Sequence, residues 1–271
     1  MNQRIWINIL LFFVVILLSI VAIFDNENIN EELSFLSTID PNKISKIEIE
    51  RKNLESLSFS KKNGQWEINF PVKLQANPKR IKSILNLLTA KSYKKLKLNE
   101  VDIAQFDLRS PKVILKLDQN NFLFGTTHPI DQKRYVLFNK TIHLIDDYLF
   151  HQLMVNVYFF ADVKLLPKNL DIISIVSEEN KLQKNNNKWT SSLKNYNEEE
   201  IIAIVSKWKN AIALSVEEYK EHANLETVSI QALSGEKIDF TIIKTEPYLI
   251  LGREDLGIQY ALSNDDAMQM F

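Results

Sequence analysis

The chain has no cysteine and only five glycines in 271 residues. Without cysteine there are no disulfides, no thiolate metal sites and no cysteine nucleophile. With glycine so scarce, neither G-x-G-x-x-G nor G-x-x-x-x-G-K occurs, which excludes phosphate cradles of those kinds. G-x-S-x-G, the strand-to-helix elbow of many serine hydrolases, is also absent. The expectation is a non-enzymatic protein with no cofactor and no metal, although a triad assembled from distant residues stays open.

What the chain does have is one long apolar run, Ile5 to Phe24, broken only by Asn8 and Ser19 and free of charge. As a helix it reaches roughly 30 Å at about 1.5 Å per residue, the thickness of a bilayer's hydrocarbon core. A cleaved signal is the alternative, but bulky Ile23 and Phe24 stand where a peptidase prefers small side chains. Arg4 precedes the run, whereas Asp25, Glu27, Glu31 and Glu32 follow it. The positive-inside tendency then places the N-terminus in the cytoplasm and the body outside. The expectation is a single-pass protein of the bacterial inner membrane with a periplasmic or external C-terminal body.

Formal charge is −1 overall but unevenly spread: −4 over residues 1–40, +9 over 41–160 and −6 over 161–271. Seven of the basic residues, Lys79, Arg80, Lys82, Lys91, Lys94, Lys95 and Lys97, gather around one predicted helix and its end. They form a candidate patch for an anionic partner, with a solvated surface as the ordinary alternative. A position outside the cytoplasm argues against nucleic acid.

Pattern divides the chain into a cytoplasmic tip (1–4), a transmembrane helix (5–24), an acidic stalk (25–42), a first unit (43–155), a connector (156–169) and a second unit (170–271). Ile47 and Ile49, then Leu57 and Phe59, alternate at strand spacing, and Asn63-Gly64 marks a hairpin turn before Trp66. Asn77-Pro78 predicts a helix start, with Ile81, Ile84, Leu85 and Leu88 on one face. Lys94, Lys95 and Lys97 are expected to trail that helix, and Asp146 or Asp147 to cap a last one.

Much of this order recurs. Asn186-Asn187 precedes Trp189, Asn197 caps a helix rich in glutamate, and Ile201, Ile204, Val205 and Trp208 repeat the stripe. Gly125 aligns with Gly252 and Tyr135 with Tyr260. The expectation is an α+β fold: an N-terminal transmembrane helix, then two tandem, internally duplicated units of largely antiparallel sheet, with one main helix each.

The apolar and turn residues also form a recognisable set: K-I-x-x-I-x-I, a turn followed by W-x-I, Phe106-x-Leu108-x-x-Pro111, L-F-G and R-Y-V. With the N-terminal helix, this set resembles the bacterial domain-of-unknown-function 4340 family over residues 43–262. Two positions depart from its pattern. Asp107 replaces a usual glycine, and the connector Phe160-Ala161-Asp162-Val163-Lys164 lacks the arginine of an Arg-Asp pair. The resemblance implies an anchored extracytoplasmic accessory protein, often associated with ABC transporter components of the gliding-motility type. It implies no catalytic residues.

Other groups admit sharper readings. His143, Asp147 and His151 would share a face on one continuous helix and could bind a divalent metal, but TIHLID alternates as a strand, which breaks that geometry. His128 and His222 lack a neighbouring nucleophile motif. Trp66, Trp189 and Trp208 suit core packing or a sugar platform, and Tyr158-Phe159-Phe160 suits packing between the units or an exposed patch for docking a partner. Three functions follow: a binding or scaffolding protein of the envelope with a transporter or other envelope partner; a hydrolase with a nonlocal His/carboxylate site; or a small-ligand or glycan receptor between the units.

Overall fold

The computed structural model describes residues 3–25, 34–192, 194–221 and 225–271. His222 and residues 26–33 of the predicted stalk lie outside the described residues. Helix α1 (Gln3–Asp25) contains the apolar run. The side chains at positions 5, 8, 9, 18 and 21–24 lie outside the described residues. Among the described residues, no helix is long and apolar enough to cross a membrane.

Strand β1 (Ser34–Phe35) leads to β2 (Lys46–Arg51), β3 (Leu57–Lys62), β4 (Gln65–Phe70) and β5 (Leu74–Gln75). The β3–β4 turn is the predicted one, and Asn63 and Gly64 both have positive φ, which these two residue types tolerate. Helix α2 (Pro78–Leu85) starts where Asn77 accepts hydrogen bonds from the backbone N–H groups of Lys79 and Arg80. Its apolar stripe buries Ile81, Ile84 and Leu85.

Next come β6 (Lys91–Ser92), β7 (Lys94–Lys97), β8 (Val113–Leu117), β9 (Asn120–Thr127), β10 (Arg134–Phe138) and β11 (Thr141–Ile145), and then the short helix α3 (Phe150–Leu153). Lys94, Lys95 and Lys97 therefore belong to an edge strand rather than a helix end. Alternation is hard to read there because only Leu96 in KKLK is apolar. Nor do Asp146 and Asp147 cap α3: its N-cap is Leu149, which makes no side-chain cap. Asp146 instead accepts a hydrogen bond from Tyr93, and Asp147 pairs with Arg134.

The second unit holds β12 (Ile172–Val176), β13 (Lys181–Asn185), β14 (Lys188–Ser191), α4 (Glu198–Asn210), β15 (Ser215–Glu218), β16 (Thr227–Ala232), β17 (Lys237–Lys244), β18 (Leu249–Arg253), β19 (Ile258–Leu262) and α5 (Asn264–Met270). A complete capping box closes the start of α4: Asn197 accepts from the Glu200 N–H, and Glu200 accepts from the Asn197 N–H.

Both large sheets are antiparallel throughout. The first runs β5-β4-β3-β2-β8-β9-β10-β11-β7, and the second β14-β13-β12-β16-β17-β18-β19-β15. Apart from β5, the two orders correspond strand for strand, and each unit places its main helix between its third strand and its far edge strand. Trp66 and Trp189 fall at the same place, each pairing with a lysine across its hairpin, Lys61 and Lys184.

Two of the residue pairings expected between the units do not survive. Gly125 is in β9 and Gly252 in β18, whereas β9 corresponds to β17; Tyr135 in β10 and Tyr260 in β19 are likewise one strand apart. Successive hairpin strands share a period of two, so an alignment on apolar residues slides by one strand with no loss of pattern. Each glycine meets its own close contact. A Cβ on Gly125 would lie 2.2 Å from the Phe106 carbonyl oxygen, and one on Gly252 would lie 2.4 Å from the Tyr219 ring.

One continuous cluster of buried side chains runs through both units. The connector joins them as an extra extended segment. On one side the Asn77 N–H donates to the Phe160 carbonyl and the Asp162 N–H to Gln75; on the other the Leu165 N–H donates to Ala211 and the Ala213 N–H to Val163. Fully buried Phe160 packs edge-on against Phe59, with ring centres 5.3 Å apart. The two units thus share backbone hydrogen bonds as well as apolar contact.

Candidate functional site: the cleft between the units

A cavity of about 480 Å³ lies at this join. Three segments line it: the β4 turn and strand with the start of α2, the connector from Ala161 to Lys168, and β17–β19 of the second unit. Its volume falls within the usual range for small-molecule sites. Apolar walls come from Trp66, Leu74, Leu165 and Ile258, and polar groups from Asp162, Arg253 and Tyr260.

Tyr260 is only 4% exposed, and its hydroxyl has no hydrogen-bond partner among the described residues. Burial pushes its phenol up to about 12, with Arg253 acting in the opposite direction and Asp162 reinforcing the rise. The phenol therefore keeps its proton at any physiological pH and remains a donor. Arg253 is also buried. Its Nε and Nη2 donate to the two Asp255 carboxylate oxygens at 2.8 Å each, leaving Nη1 unengaged. That pairing holds the Asp255 carboxyl below its ordinary value. Asp162 accepts one bond, from the Lys164 N–H to Oδ1.

The sequence names Tyr260 only as a repeat position and Asp162 only as part of the connector, and it does not single out Arg253, although it does place a receptor site between the units among its alternatives. Tyr260 lies at the third position of β19 and His143 at the third position of the corresponding β11.

A family model described as Domain of unknown function (DUF4340) matches residues 66–236, more than half of the chain. The chain belongs to this family. The DUF4340 match takes in α2, most of the first sheet, the whole connector and part of the second sheet. Within it, Asp107 adopts left-handed backbone, φ 57°, a conformation that glycine reaches without strain. No curated protein and no solved structure matches the chain.

The other expected groups are placed as follows. Lys79, Arg80 and Lys82 sit on or beside the exposed face of α2, whereas Lys91, Lys94, Lys95 and Lys97 lie along β6 and β7. Several of these cations have local partners: Arg80 lies over the Phe159 ring at 3.8 Å, Lys91 over Tyr93 at 4.6 Å, and Lys97 pairs with Glu100 at 3.5 Å. Trp208 is wholly buried, so it is core rather than a sugar platform.

The structure does not join His143, Asp147 and His151 into a metal centre. Among the described residues, no group of three His, Cys, Asp or Glu side chains is placed to hold a metal. His143 instead has its Nδ1 2.9 Å from the Ser92 hydroxyl, and both residues are buried. No carboxylate hydrogen-bonds to this imidazole among the described residues, and neither residue lines the cleft. The pair has the contact but not the access of a nucleophile and base.

Burial, assisted by the charge on Lys95, lowers His143 to about 4. Its ordinary value, and hence its value in the unfolded chain, is about 6.5. Between these values the unfolded chain takes up a proton that the folded chain refuses. Stability therefore falls as pH drops through 6.5, and the loss is complete below 4, at a cost on the order of 3 kcal/mol. In urea unfolding, the midpoint of the native chain is expected to drop between pH 7 and pH 4.5, and His143→Leu to drop distinctly less. Equal acid sensitivity in the two proteins would refute this assignment.

Proposed function

We propose that the protein is a single-pass, membrane-anchored scaffolding or binding protein of the bacterial envelope, with its two-unit body outside the cytoplasm. One observation carries the reading. From Leu10 to Leu17 every side chain is apolar and exposed. Eight successive helical residues cover all faces of a helix, so this segment offers no polar side to water and none to the body. A lipid interior or a partner helix satisfies such a surface; the flanking charges favour lipid with the N-terminus inside. The body supplies the rest: a pair of sheets that share one continuous apolar core and could hold a partner, such as a component of an envelope transport complex, as the family resemblance implies.

The test uses the absence of cysteine. Ser192 is exposed, and Ser192→Cys gives the chain a single thiol. In intact cells with a permeabilised outer layer, a membrane-impermeant maleimide should label it, and the protein should stay in the membrane fraction after carbonate washing. Labelling only after cell lysis, or release by carbonate, would overturn the reading. Crosslinking in the same cells should then recover an envelope protein.

A second reading, compatible with the first, is that the body is also a receptor for a small ligand. The cleft between the units favours it, because the Tyr260 hydroxyl, without a hydrogen-bond partner among the described residues, lines an open cavity where water or a ligand can bond to it.

A further inference from the structure

Resting on the reading of the cleft as a ligand site, we infer that its ligand is a neutral saccharide of one or two rings, held by Tyr260, Arg253 and Asp162 against the Trp66 wall.

The polar groups are mixed in kind. The Arg253 Nη1 can only donate, the free Asp162 oxygen can only accept, and the Tyr260 hydroxyl can do both. Asp162 comes from the connector, whereas Arg253 and Tyr260 end or centre adjacent strands of the second sheet. All three line the same cleft. Sugar hydroxyls are each donor and acceptor, and a cluster of them satisfies such a set in full. The C–H faces of a sugar ring suit Trp66, Leu74, Leu165 and Ile258.

Charge excludes the anionic alternatives. Lys164, Lys168 and Arg253 line the cleft with Asp162 and Glu236, and Asp255 holds the Arg253 fork, which leaves three charges of each sign. No net field draws a phosphate or carboxylate. Pro78 brings the start of α2 to the cleft wall, but Asn77 already occupies the N–H groups of Lys79 and Arg80. An extended peptide is excluded on different grounds. The connector is hydrogen-bonded along both edges, to residues 75–77 and to 211–213, so it offers no strand edge for addition.

The experiment uses the full chain in lipid nanodiscs, since sugar-headed detergents would compete. Glucose, N-acetylglucosamine and maltose serve as neutral probes; glucuronate, glucosamine and inorganic phosphate as charged ones. Binding is read by saturation-transfer NMR and calorimetry. At least one neutral probe should bind at millimolar concentration or below. Tyr260→Phe and Asp162→Asn should each weaken it about three- to tenfold, the effect of one lost hydrogen bond, with thermal melting confirming that both variants fold. Neutral binding that both variants leave unchanged would overturn the site. Tyr260-dependent binding of a charged probe alone would overturn the saccharide but keep the cleft as a receptor. Binding of no probe would overturn both.

Discussion

Replacing Asp147 with alanine is expected to destabilise the protein by about 3–5 kcal/mol, the cost of leaving a buried charge without its partner. Arg134 opens β10 and is 8% exposed. Its Nε and Nη2 donate to the Asp147 oxygens at 2.5 and 2.8 Å, its Nη1 donates to the Gly125 carbonyl, and its guanidinium lies 3.6 Å from the centre of the Phe150 ring. The planar fork of arginine matches a carboxylate in two bonds, and the ring covers the remaining face. Removing the carboxylate strands the cation against an aromatic ring and a backbone oxygen. Arg134→Met together with Asp147→Leu removes both charges and should recover most of the loss. Urea unfolding of the two single variants and the double variant gives the coupling. Asp147→Ala within about 1 kcal/mol of the native chain would show that water reaches the guanidinium and that the pair contributes as a surface bridge does.

That pair also shows where the sequence was legible and where it was not. Local chemistry was readable. Asn63-Gly64 and Asn186-Asn187 both adopt the positive φ their hairpins require. Asn77 and Asn197 cap the two main helices, because a short amide beside a helical stripe has few other roles. The antiparallel α+β class followed from strands grouped after a helix.

Partnerships across space were not readable. Asp147 looks like a helix cap just ahead of Leu149 until the β10–β11 hairpin brings Arg134 beside it. β7 and β15 are edge strands, bonded on one side only, and the sequences KKLK and SVEE need not alternate strongly. The cleft comes from segments centred near residues 66, 165 and 255, and no short-range pattern links them. Periodicity found the strands but not their partners, which is why the second-unit alignment slipped by one strand beyond α4.

Trp208→Ala is expected to cost about 3–5 kcal/mol, the usual penalty for truncating a large buried aromatic side chain. Trp208 is one of the residues through which α5 is held. It lies on α4 with no exposed surface, its ring centre 5.5 Å from Phe240 on β17 and 5.8 Å from the terminal Phe271. Its indole N–H donates to the Met270 carbonyl at 3.0 Å. A second link, Lys207 to Asp266 at 2.6 Å, ties the same two helices at their surface. α5 is only seven residues long, too short to persist in water alone, so it depends on these contacts. The truncation should therefore act in two places: a cavity beside Phe240, and release of α5. Hydrogen exchange distinguishes them. In Trp208→Ala the amides of Asn264–Met270 should lose protection, while those of β2 and β3 in the first unit keep it. Trp208→Phe retains much of the apolar contact and loses the N–H bond, so it should cost less and leave α5 partly protected. If Trp208→Ala left the exchange of α5 unchanged, the Lys207–Asp266 pair and the Ser263 hydroxyl, which accepts from the Asp266 N–H at the start of α5, would be sufficient to hold that helix, and Trp208 would serve only the packing of α4 on β17.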